Sequence, residues 1–256
     1  MANRRRSRYV PWADILDLLA LLAWALVLLK YWLTGQLNIL LHPDYMWLSN
    51  AASLFLLLVV FLRSFRLVQS TRAIPAAIAN PRHFTLLPPS FSSLILLAVA
   101  VFGLTYTPRP FASDTALQRG ITDTLTMTRS QPRQFRLDNQ PEDRSVVDWV
   151  RTINVYPEPD AYTDQAVDVS GFVIYPPDWP DNYLMVSRFV LTCCAADAYP
   201  VGLPVKLSGD RAAYAPDSWI DVNGKMITET LADRRQVVIE STSLTEIPEP
   251  ENPYEY

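Results

Sequence analysis

Residues 45–62 read YMWLSNAASLFLLLVVFL, a run without formal charge that is bounded by Asp44 and Arg63. As a helix it measures about 27 Å, close to the thickness of a bilayer's hydrocarbon core. Two more stretches pass the same test. One surrounds the uninterrupted apolar run Leu18–Leu29, and the other is charge-free from Phe84 to Pro108. These runs predict spans at about 14–33, 45–63 and 88–106. Trp12, Tyr31, Trp32, Tyr45, Trp47 and Tyr106 fall near the span ends, where amphipathic rings settle at the headgroup level.

The first run follows Arg4, Arg5 and Arg6, as a signal peptide would, but Lys30-Tyr31-Trp32-Leu33 lacks a small-x-small cleavage pattern. It reads as an uncleaved helix. Arg4, Arg5, Arg6 and Arg8 precede span one, and Arg63, Arg66, Arg72 and Arg82 fall between spans two and three. Positive-inside orientation then puts the N-terminus and that second loop in the cytoplasm. Three crossings leave the C-terminal half outside, next to an inner or plasma membrane. Asp17 and Lys30 lie near the two ends of span one. The headgroup region can hold Asp17, and Lys30 can snorkel; alternatively Asp17 faces a partner helix or an aqueous path.

Charge divides the chain in the same place. Residues 1–110 hold 10 of the 22 Lys/Arg and 3 of the 26 Asp/Glu, whereas residues 111–256 hold the other 12 and 23. An acidic rear repels phosphate, so nucleic-acid binding is disfavoured. The two cysteines are adjacent, with Cα atoms only about 3.80 Å apart, closer than a routine structural disulfide sets them.

Residues 109–140 read as a linker with a short helix around Ala116–Ile121. From Pro141 a helix opens, with acidic residues in its first turn and Val146, Val147, Trp149 and Val150 on one face. Strand-like runs follow at Ala166–Tyr175, Tyr183–Cys193, Tyr199–Leu207, Ser218–Met226 and Gln236–Ile247, separated by Pro, Gly and Asp turns. The expected fold is therefore membrane α plus β: a membrane domain at 1–108, and an extracytoplasmic domain at 141–256 built as a small five-stranded OB-like β-barrel. A small sandwich is the alternative. Trp219–Gly224 reads as a strand entering a turn, and residues 248–256 as an extended tail.

The densest chemical signal is RFVLTCCAADAYPVGLPV at 188–205, with GFV at 171–173, WIDVNGK at 219–225 and NPYEY at 252–256. In these phrases the chain resembles the YcgQ-type bacterial membrane proteins. The Cys-Cys-Ala-Ala-Asp-Ala phrase is the specific part, and the membrane front is generic. The resemblance implies a companion, a separate multi-span permease, with an undetermined substrate and metal handling as a recurrent suggestion. It brings no catalytic residues.

Residue chemistry supplies two readings of that phrase. On a continuous strand, Cys193 and Cys194 point to opposite faces. If the strand stops and the chain turns, both sulfurs can converge with Asp197. Two thiolates and a carboxylate suit zinc or another soft-to-borderline divalent ion, with a fourth ligand from water, His42 or a partner. Otherwise a cysteine fills the core while Asp197 caps a turn or pairs with Arg188. His42 is expected outside and His83 inside, so they do not share a site. There is no Walker A loop, dinucleotide fingerprint or HExxH, and nothing lowers a thiol pKa for redox work. The reading is not an enzyme. It is an accessory subunit of a permease, its outer domain capturing substrate or gating the partner. The rival is a membrane-anchored structural or assembly module with no ligand of its own.

Overall fold

The computed structural model describes residues 12–70, 89–121 and 140–256. Arg4, Arg5, Arg6, Arg8, Arg72, Arg82 and His83, on which the orientation argument and the placing of the second histidine rest, lie outside the described residues. The chain divides into two compact units, Met1–Pro108 and Arg109–Tyr256.

The first unit holds α1 (Trp12–Leu33), the short α2 (Leu37–Leu40), α3 (Pro43–Ser70) and α4 (Pro89–Thr105). Helices α1 and α3 are long and apolar enough to cross a membrane. Helix α3 runs past the expected end at residue 63, carrying Arg63 and Arg66 as helical residues rather than as loop residues. A charge ends a membrane-buried run without ending a helix, because arginine is itself a good helix former.

Small side chains predominate in the interior of this unit, with Val27 and Leu37 the larger buried residues among those described. Ala20, Ala23, Ala25, Ser53, Ser93 and Ala100 are buried, while Leu54, Phe55, Leu58, Phe61, Leu94 and Phe102 are exposed. Ser53 Oγ donates to the Ala25 carbonyl at 3.2 Å, a bond that only a close backbone approach allows. Gly103 meets α1 in the same way, since a Cβ there would lie 3.3 Å from Val27 Cγ1. Contacts between α1 and α4 rise together along both helices, so the two run parallel. Ser93 bonds Asp17, Trp24 Nε1 donates to Leu96 O, and Tyr31 donates to Gly103 O.

Lys30 completes that interface. Its Nζ donates to the carbonyls of Leu104 (2.9 Å) and Tyr106 (3.1 Å), placing a cation on the C-terminal end of α4. Asp17, towards the other end of α1, accepts from the Ser93 hydroxyl of the neighbouring helix.

The second unit opens with α5 (Ser113–Arg119), followed by α6 (Val146–Val155) and six strands. These are β1 (Ala166–Ile174), β2 (Tyr183–Val190), β3 (Tyr199–Lys206), β4 (Trp219–Leu231), β5 (Arg234–Ile247) and β6 (Tyr254–Glu255). They form one mixed sheet in the order β1-β4-β5-β3-β2-β6, and β1 pairs β2 as well. Pairings thus lead from β1 through β4, β5, β3 and β2 back to β1. All are antiparallel except β3 with β5, and β6 lies parallel to β2.

Val173, Leu184, Val186, Val201, Val205 and Ile239 project from these strands into a common core. Helix α6 closes on that core. Its cap is Ser145, whose hydroxyl accepts the Asp148 N–H at 3.2 Å, and Val146, Val147, Trp149 and Val150 are buried beneath it. Strand β2 is buried at Met185, Ser187 and Phe189 as well as at its core positions. A strand covered on both faces reads as a continuous apolar run.

Part of the expected linker belongs to this unit. Ala116 of α5 is fully buried, and the Ser113 N–H donates to Asp217 Oδ1 at 2.5 Å. Strand β4 does not enter a turn at Gly224 but continues to Leu231 through a bulge at Asn223/Gly224. Glycine is required there, because a Cβ would stand 2.2 Å from the Glu240 carbonyl oxygen. The turn comes at Ala232-Asp233, both at positive φ (49° and 59°), as a tight hairpin demands.

Candidate functional site

Strand β2 ends at Val190, short of the expected Cys193, and the reason is local competition for backbone donors. The Leu191 N–H goes to the Glu255 carbonyl of the C-terminal segment at 2.9 Å. The next N–H groups turn inward on one carboxylate. Asp197 Oδ2 accepts from Cys193 N at 2.9 Å and from the Thr192 hydroxyl, and Oδ1 accepts from Cys194 N at 3.2 Å. Cys194 then caps a single 3-10 turn, Ala195–Asp197, which the Asp197 N–H closes on the Cys194 carbonyl at 3.0 Å.

This turn decides between the two arrangements open to the cysteines. The chain leaves the strand before residue 193, and both sulfurs come to the same side, 3.7 Å apart. Cys193 Sγ, Cys194 Sγ and an Asp197 oxygen all lie within 4.8 Å of one another. Cys193 is exposed and Cys194 half-buried, both as free thiols, so neither fills the core.

Electrostatics follow from the geometry. Burial pushes the Asp197 carboxyl up, but hydrogen bonds from Thr192, Cys193 and Cys194 outweigh it and hold the group below its ordinary range. The anion so fixed has the opposite effect on its neighbour. The hydrogen bond to Asp197 and then the one to Cys194 lead the causes that push the Cys193 thiol up to about 11. A thiol is nucleophilic only as thiolate, which Cys193 becomes only at strongly alkaline pH. With chelator present, alkylation of Cys193 by iodoacetamide is therefore slow at pH 7 and accelerates steadily up to about pH 11. A mapped rate that levels off near neutrality would contradict this geometry and point to a thiol enzyme.

The supporting residues separate. Arg188 does not pair with Asp197. It is half-buried against β1, where Nε donates to Ser170 O at 2.9 Å, Nη2 to Ser170 Oγ at 2.8 Å, and Nε stands 3.6 Å from Glu255. Its guanidinium lies 4.6 Å from the Trp219 ring centroid. His42 belongs to the N-terminal unit, where its Nδ1 accepts the Asp44 N–H at 3.1 Å.

Three groups around the turn escape a reading of the motif. Thr192 orients the carboxylate. Arg119 of α5 donates to the carbonyl of Ala198, directly after Asp197, and stacks on Phe111 at 4.6 Å. Tyr254 of β6 packs on Phe189 and Phe111. Thr192 was visible inside the phrase as a hydroxyl beside a cysteine pair, whereas Arg119 and Tyr254 come from distant parts of the chain.

No curated protein and no solved structure matches the chain. Residues 134–256, the stretch that holds α6, the six strands and the Cys193/Cys194/Asp197 turn, match the DUF1980 C-terminal domain family.

Proposed function

We propose that the protein is the accessory subunit of a membrane permease, anchored by its helical unit and presenting the β domain outside the membrane. There the cysteine turn captures the cargo or gates the multi-span partner. The observation that carries this reading is a turn that gathers two thiols and an oriented carboxylate at the surface of a domain joined to apolar helices. A module with no ligand of its own would have no need to fold Cys193 outward.

The anchoring rests on an inverted distribution of side chains. Small residues predominate in the helical interior and large apolar ones cover its outside, which is how helices pack when the solvent is lipid. Helix α4 serves as the third span. It is shorter, at 17 residues or about 25 Å, but it runs parallel to α1, as the first and third crossings of a three-span chain must. The basic tail and second loop then lie in the cytoplasm and the β domain outside.

The β domain reads best as an OB-like barrel. Five strands whose pairings return to the first, with β3–β5 as the parallel pair, support closure, and α6 covers the core. Together with the match at 134–256, this favours a YcgQ-type protein. Three spans without a visible internal repeat make a poor autonomous carrier, which is why a partner is part of the proposal. Purified from its native membrane at native abundance, the chain should retain a stoichiometric multi-span membrane protein. Recovery of the chain alone, folded and at full yield, would support the assembly module instead.

A further inference from the structure

We infer that the Cys193/Cys194/Asp197 turn is a binding site for a four-coordinate divalent cation of the zinc class, with two thiolates and one carboxylate as ligands. This rests on the capture reading above and deepens it by naming the cargo.

The sulfur spacing selects the geometry. With a metal–sulfur distance of about 2.3 Å, two thiolates on a tetrahedral ion stand about 3.8 Å apart. A linear two-sulfur site for a soft monovalent ion needs about twice the bond length, about 4.6 Å. The observed separation is 3.7 Å, so Cys193 and Cys194 already stand at the tetrahedral edge. The carboxylate lies within 4.8 Å of both sulfurs, near enough for one of its oxygens to serve as the third ligand. Two sulfurs among three ligands exclude calcium and magnesium, which take oxygen shells.

The surroundings are those of a ligand set rather than of an incidental cluster. Asp197 is held by the Thr192 hydroxyl and by the N–H groups of Cys193 and Cys194, and such outer bonds fix a ligand's orientation. Cys194 Sγ also accepts from the Asp197 backbone N–H, so the second sulfur is oriented as well. Cys193 is exposed, which leaves a fourth position open to water or to a group on the partner. Structural zinc sites are closed by four protein ligands, whereas three ligands and an open position allow exchange. As each sulfur–metal bond forms, its thiol gives up one proton to solvent. Two protons leave per ion, and nothing is oxidised or reduced.

The test uses the full chain in detergent, reduced and stripped with chelator, and titrated with Co²⁺ and then Zn²⁺. One Co²⁺ per chain is expected, with thiolate-to-cobalt charge-transfer absorption and the intense visible bands of a tetrahedral ion, all lost when Zn²⁺ is added. Cys193→Ala and Cys194→Ala each lose stoichiometric binding while keeping the circular dichroism of the parent. Thr192→Val keeps all three ligands and weakens Co²⁺ binding by about 10–100-fold through the loosened carboxylate. A weak octahedral spectrum without charge transfer, or binding that survives in the double cysteine variant, would overturn the assignment. A chain that retains a multi-span partner but binds neither Co²⁺ nor Zn²⁺ overturns the cation site and leaves the accessory reading standing. Stoichiometric tetrahedral cobalt on a chain that has no partner does the reverse.

Discussion

Arg188→Leu lowers the stability of the β domain by about 3–5 kcal/mol, the cost of leaving one member of a buried ion pair without its partner. Arg188 and Glu255 side chains are only 12% and 23% exposed. The guanidinium joins β1 through Ser170, the C-terminal segment through the Pro253 carbonyl, and β6 through Glu255. Glu255 in turn accepts from the hydroxyl of Ser145, the residue that caps α6, at 2.5 Å. One ion pair therefore fastens the C-terminal strand, the first two strands and the start of the helix.

The electrostatics of the pair make the prediction specific. An ion pair ordinarily lowers a carboxyl's pKa, yet Glu255 is raised, because burial outweighs both the Ser145 hydrogen bond and the Arg188 charge. Burial likewise lowers the Arg188 guanidinium, and Glu255 and Asp221 pull it back. A carboxyl raised in the folded state stabilises it most below the ordinary carboxylate range, and this contribution is lost as pH rises through the raised value. Removing Arg188 raises Glu255 further, so the Arg188→Leu variant regains stability on acidification. Arg188→Leu combined with Glu255→Gln recovers most of the loss, since replacing both members of a buried pair is often close to neutral. Urea unfolding of the full chain, followed by near-ultraviolet circular dichroism, checks all three. A double variant as unstable as Arg188→Leu would show that the guanidinium acts through its packing on Trp219 and not through its charge.

Which features were legible in the sequence follows from how local their causes are. The α1 and α3 runs are legible because a long, nearly uncharged apolar stretch, broken in α1 only near its ends by Asp14, Asp17 and Lys30, has few other uses. The extension of α3 through Arg63 and Arg66 is not, since the apolar signal stops where the helix does not. The pattern of β4 fades after Met226 because Thr228, Glu229 and Thr230 break the apolar run, and the hairpin at Ala232-Asp233 lacks the Asn-Gly or Asp-Gly pair that marks such turns. Strand β6 hides behind Pro248, Pro250 and Pro253, and its partner β2 is far away in sequence.

The site was half legible. Cys193, Cys194 and Asp197 announce themselves by type and spacing, but whether the sulfurs converge depends on where β2 stops. That is settled by the Glu255 carbonyl and the Asp197 carboxylate taking the donors that would have continued the strand. Arg188 illustrates the opposite failure. It stands near the motif in sequence, but its guanidinium is taken up by Ser170 and by Glu255, and Glu255 lies far along the chain near the end of the sequence.

The second large effect is physiological. If the turn captures the cation that the permease carries, a chain with Cys193→Ala and Cys194→Ala is present in the membrane and folded, yet useless for uptake. The substitution leaves the turn's frame intact, because Asp197 is held by the Thr192 hydroxyl and by backbone N–H groups that alanine retains. The phenotype is then that of a missing ligand set and not of a missing protein.

The most direct measurement is cell-associated zinc in zinc-limited medium, compared among cells with the native chain, the double cysteine variant at equal membrane abundance, and no chain. The variant is expected to lose as much zinc accumulation as the deletion. Native zinc content in the variant, with a deficit only in the deletion, would contradict it and leave the β domain as an assembly module.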